Sequence, residues 1–213
     1  MKTDDLVSLL AADVPAQDPA APARRAGAGL AVGLALAVGL MAATLGLHPQ
    51  LALEARLPAF WVREAFCAAL AVAGVLGARR LAYPGRRLGA IAAAWLLPVA
   101  LMWLLAALTL ADAAPADRVA LLMGSTARVC PLLIAMVSVP LMGAFFWIAR
   151  GLAPTRLRLA GTVTGLAAGA CGALVYTLHC PELAAPFLAV WYLLGMLLPA
   201  ALGCLLGPRL LRW

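Results

Sequence analysis

Charge is what this sequence has least of. Only 12% of its 213 residues are charged, against about 25% in an ordinary soluble domain. With 65% hydrophobic residues, the chain lacks the polar groups to cover a water-exposed globule. That excludes a conventional soluble enzyme, and it excludes an intrinsically disordered chain, which needs low hydrophobicity and high charge. Familiar catalytic signatures are missing too: there is no H-E-x-x-H, no G-x-S-x-G and no Walker A sequence. None of the five cysteines forms a C-x-x-C, which removes the thioredoxin-type motif and the common zinc pattern. No charge sits in the middle of a long apolar run, where ion pumps and proton relays commonly carry one. No repeat points to an inverted-repeat transporter. The four acids ahead of the first apolar run, and the length of that run, argue against a cleaved signal peptide.

What is there is long and apolar. Uncharged runs cover 26–53, 65–78, 88–111, 129–149, 159–178 and 183–208. A spanning helix needs about 20 mostly apolar residues. Five runs suffice alone. The second, about 21 Å at 1.5 Å per residue, falls short of the ~30 Å hydrocarbon core. It spans only if it starts near Phe60 and carries Arg63 and Glu64 at its end, with Arg63 snorkelling to the interface and Glu64 paired with an arginine. Solid runs of Ala, Leu, Val and Gly fit helices, not barrel strands, which alternate apolar and polar residues. The expected fold is therefore all-α, a polytopic six-helix membrane bundle. Its spans lie at about 26–47, 60–78, 88–110, 129–149, 159–179 and 184–206, between a tail (1–25) and a short C-terminal end (209–213).

Charge placement sets the orientation. Twelve of the sixteen basic residues (Lys2, Arg24, Arg25, Arg79, Arg80, Arg86, Arg87, Arg150, Arg156, Arg158, Arg209, Arg212) fall on one side of such a bundle; Arg56, Arg63, Arg118 and Arg128 fall on the other. The positive-inside rule then places both termini in the cytoplasm. The basic balance reads as topology and contact with anionic lipid, with no direct nucleic-acid partner.

Two features remain once the spans are set aside. The first is the tail. Thr3 suits an N-cap, Asp4 and Asp5 suit a first turn, and Leu6, Leu10 and Val14 follow at helical spacing beside Val7 and Leu9, before Pro15 stops the run. About three turns are too short to be stable alone. The segment reads either as a loose tail or as a helix that folds into a partner's groove. The second feature is a cysteine pair. Cys67, Cys171 and Cys204 read as small packing residues. Cys130 opens the fourth span and Cys180 closes the fifth; these spans are consecutive and antiparallel, so the two cysteines share a depth. Each precedes a proline, Pro131 or Pro181, and His179 and Arg128 lie close enough to lower a thiol pKa. The pair suits either a regulatory disulfide or a soft-metal site that would draw on Cys130, Cys180 and His179. Gly161, Gly165 and Gly169 form a repeated G-x-x-x-G on the fifth span, the pattern of close helix packing.

The stretch Leu178-His-Cys-Pro-Glu-Leu-Ala-Ala-Pro-Phe-Leu-Ala-Val-Trp-Tyr-Leu-Leu-Gly-Met196 resembles the signature of the NrsF family, bacterial inner-membrane anti-sigma factors described as negative regulators of sigma F. The N-terminal segment from Lys2 to Asp13, the six spans, the length and the Cys130-Pro131 pair are similar as well. The resemblance implies a membrane-bound anti-sigma factor with no catalysis and no cofactor. Its N-terminus, here Asp4, Asp5, Leu6, Leu9, Leu10 and Asp13, would hold an extracytoplasmic-function sigma factor. Cys130 and Cys180, with His179, Pro131, Pro181, Glu182 and Arg128 around them, would face the periplasm and sense oxidative or heavy-metal stress. Homo-oligomerisation is left open. A shift of the fifth span along its glycine face is the expected route for the signal. The rival readings are a membrane thiol oxidoreductase, which would normally need a second cysteine pair, and a small transporter, which would want a polar midplane site.

Overall fold

The computed structural model describes residues 3, 5, 7, 18, 20–83 and 85–212. Among them there is no strand, and six helices are long and apolar enough to cross a membrane. In chain order the elements are α1 (Ala21–Thr44), the short α2 (Leu51–Glu54), α3 (Pro58–Leu81), α4 (Ile91–Asp112), the short α5 (Arg118–Met123), α6 (Cys130–Arg150), α7 (Leu157–Tyr176) and α8 (Ala185–Leu210). Thr3, Asp5 and Val7 are helical and exposed; Asp4, Leu6, Leu9, Leu10 and Asp13 lie outside the described residues.

Local chemistry explains several boundaries. Pro58 and Pro131 stand in the first turns of α3 and α6, where a missing N–H costs nothing. α1 begins five residues before its apolar run, so Arg24 and Arg25 are already helical. Arg25 lies over the Trp147 ring at 4.1 Å and donates to the Trp147 carbonyl at 3.0 Å, tying the start of α1 to the end of α6. Within α8, residues Leu188–Tyr192 form a π turn. One extra residue offsets the helix faces on either side by about 100°.

α7 is the axis of the bundle. In its most apolar stretch 72% of residues are buried, against 11% in the peripheral α4. α7 packs on α8, α3 and α6, and α1 lies on the outside of α6. The α7–α8 contact is backbone against backbone. A Cβ added at Gly161 would overlap the Gly203 carbonyl, one at Gly165 the Pro199 carbonyl, and one at Gly169 would lie 2.7 Å from the Met196 carbonyl oxygen. Without a strong hydrophobic drive between helices in lipid, such close approach is a main source of association. The glycine face expected to slide is thus fully occupied by α8.

The spans alternate in direction, so the bundle has two distinct ends. Pro22 and Ala23 at the start of α1, Ala82 and Tyr83 just beyond α3, and Leu152 just beyond α6 line one cavity. This is the tail end; it also carries Arg79 and Arg80, Arg150 and Arg209 in the last turns of α3, α6 and α8. The opposite end holds Arg63, Cys130 and the 177–184 connection.

Candidate functional site

Cys130 is the first residue of α6, and Cys180 lies in the connection from α7 to α8. α7 ends in a turn that brings the His179 and Cys180 amides back to the Tyr176 carbonyl at 3.0 and 3.1 Å. Because α6 and α7 pack side by side, the start of one meets the end of the other. Both thiols are free and completely buried. They sit in one buried cluster, and Cys130 acts on Cys180 as a hydrogen-bond donor would.

This interaction is the largest influence on Cys180 and draws its pKa down to about 6, against the opposing effect of burial. The Tyr192 hydroxyl, the Glu182 amide and the charge of Arg63 add to it. The Tyr176 and Tyr192 hydroxyls are buried without an oxygen or nitrogen partner, and their rings are 6.0 Å apart. They wall the thiols on one side. His179 pairs through Nδ1 with the Gly46 carbonyl at 3.0 Å, and Arg128 is exposed. Among the described residues no group of three or more His, Cys, Asp or Glu could hold a metal. The structure brings together two sulfurs and turns the imidazole elsewhere.

Glu182 closes the site from above. Its carboxylate accepts from the Ser125 amide at 2.6 Å and the Ser125 hydroxyl at 2.7 Å. Gly124, at φ +50°, packs so tightly on that carboxylate that any side chain would collide with it. Trp191 reaches the same loop, donating to the Leu122 carbonyl at 2.8 Å. Pro131 is buried and Pro181 exposed.

The residue that sequence reasoning missed is Arg63. It does not snorkel; its side chain is completely buried. It donates through Nη1 to the carbonyls of Cys180 (2.6 Å) and Glu182 (3.3 Å), through Nη2 to that of Thr177 (3.1 Å), and through Nε to Glu64 (3.3 Å). Glu64 in turn accepts from the Thr177 hydroxyl at 3.1 Å. A buried charge is tolerable only when it is paired and hydrogen-bonded, and Arg63 is both. The clue was in the sequence: the second apolar run is short because Arg63 and Glu64 belong inside the helix. Cys67, one helical turn after Arg63, is also buried, within electrostatic reach of Cys180.

These features define a class: a six-helix bundle of membrane-spanning length, with a buried pair of free thiols at one end and basic residues at the other. The comparisons carry this further. The family model described as "Negative regulator of sigma F" matches residues 10–213, and the chain belongs to that family, NrsF. A "Probable anti-sigma-F factor NrsF" of Azospira oryzae (strain ATCC BAA-33 / DSM 13638 / PS) is 48% identical, and the "Anti-sigma-F factor NrsF" of Caulobacter vibrioides (strain NA1000 / CB15N) is 38% identical, each over the full length of both chains. No solved structure matches.

Proposed function

We propose that this protein is a multi-pass anti-sigma factor of a bacterial inner membrane, with both termini in the cytoplasm. Its tail holds an extracytoplasmic-function sigma factor, and a change of state at Cys130 and Cys180 releases it. The family match over residues 10–213 carries the sequestering role. Sensing is supported by the nearness of two free thiols, one of them held below the ordinary thiol range by its neighbours. A two-electron oxidant would join the sulfurs, or a soft metal would bridge them. The buried, latched site fits a small stressor. The positive-inside rule supports the orientation and puts the thiols in an oxidising compartment.

The test uses the full-length protein in membranes with its cognate sigma factor. Leu6→Asp with Leu10→Asp should free the sigma factor without stress; retained co-purification would remove the tail as the binding element. Cys130→Ser with Cys180→Ser should keep the sigma factor bound and abolish release by peroxide or cadmium. An undiminished response in that double variant would end the sensing role while leaving sequestration intact.

A further inference from the structure

We infer that Arg63 couples the thiol pair to the tail end of the bundle, because it is the positioning residue through which movement of Cys180 becomes movement of α3. The inference rests on the sensing role proposed for Cys130 and Cys180.

Arg63 grips the backbone on both sides of the thiol. Its three carbonyl acceptors belong to Thr177, Cys180 and Glu182, and its fourth contact is Glu64 on its own helix. A guanidinium is a flat, rigid fork, so a carbonyl cannot shift beneath it without dragging it or losing the bond. Oxidation forces such a shift. Two thiols and hydrogen peroxide give one disulfide and two waters, with both thiol protons and two electrons passing to the peroxide. The sulfurs then approach to about 2.0 Å, far inside a thiol–thiol hydrogen bond. Cys180 lies in a non-helical connection, whereas Cys130 is fixed in the first turn of α6. The connection therefore yields, and Arg63 is attached to it.

The displacement has one open direction. α7 and α8 meet backbone to backbone along their glycines, a close contact that resists their separation. α3 meets α7 closely, through Gly74 on Ala167 and Gly77 beside Val163, and beyond these contacts its end borders open space. About 22–30 Å from Arg63 at a helical rise of 1.5 Å per residue, Ala78, Arg79, Ala82 and Tyr83, at and just beyond the end of α3, border a cavity of about 320 Å³ whose other walls include Pro22 and Ala23. This is where the tail joins α1. A shift of α3 into that space alters the base of the tail directly.

Three readouts in full-length protein separate this role from a merely structural one: sigma factor retained without stress, Cys130–Cys180 disulfide formed by peroxide, and sigma factor released by peroxide. Arg63→Gln should retain the sigma factor and still form the disulfide to completion, with release slowed tenfold or more; Arg63→Lys should recover part of the release. Release at the wild-type rate in Arg63→Gln overturns the inference, and so does parallel loss of all three readouts, which would mark Arg63 as structural only. Ala82→Leu provides a second site, filling the cavity far from the thiols. It should block release with disulfide formation intact, and wild-type release there overturns the inference even if Arg63→Gln fails to fold. If the wild-type disulfide forms and nothing is released, the sensing role itself has failed.

Discussion

Cys180 is set apart from the other four cysteines by its immediate neighbours. The Cys130 thiol, the Tyr192 hydroxyl and the Glu182 amide all favour its charged form, and Arg63 adds a positive charge. A thiolate is the reactive species. With a pKa of about 6, the rate of Cys180 alkylation by a small electrophile should rise through pH 6 and level off by about pH 8, where an ordinary thiol, at about 8.5, is still climbing. Below pH 6 protonation slows it. Cys130→Ala removes the largest stabilising contact and should move the whole profile to higher pH; an unmoved profile would assign the acidity to another neighbour. The shared depth of Cys130 and Cys180 was legible in the sequence, because the start of one span and the end of the next antiparallel one lie on the same side; their nearness comes from the packing of α6 on α7. The role of Arg63 was not, because its partners are three backbone carbonyls, which carry no sequence signature. The same holds for His179, whose acceptor is the Gly46 carbonyl.

Among the elements, α7 and α8 form the fixed part of the molecule. Gly165 faces the Pro199 carbonyl with no space for a methyl group, while Gly39 on α1 has nothing within 4 Å. Gly165→Ala should therefore destabilise by about 1–3 kcal/mol, the usual cost of overpacking. Gly39→Ala should be neutral or slightly stabilising, since Ala is the better helix former. Thermal unfolding in detergent checks both, and equal Tm values for the two variants would contradict the backbone-to-backbone packing. The six spans were readable because a chain with so few charges has few places to turn. α2 and α5 were not, being too short to show periodicity. The π turn in α8 escaped as well: it depends on hydrogen bonding along the backbone, and Leu188–Tyr192 looks like any apolar helix. That turn sets the face on which Tyr192 meets Cys180.

At the scale of the whole molecule, chemistry and charge are segregated. The thiols, Arg63 and the Glu182 latch gather at one end; Arg79, Arg80, Arg150 and Arg209 gather at the other, around the point where the tail begins. A reporter fused to the C-terminus should behave as cytoplasmic, fluorescent as a green fluorescent protein and inactive as an alkaline phosphatase; the reverse pattern would invert the orientation. One measurement bears most directly on whether thiol state governs release of the sigma factor. The protein is placed in a nanodisc with its sigma factor bound, treated with peroxide, and followed for the Cys130–Cys180 disulfide by mass spectrometry and for free sigma factor by fluorescence. The two signals should rise together and both reverse on reduction. Complete disulfide formation with the sigma factor still bound would contradict the coupling of the two ends.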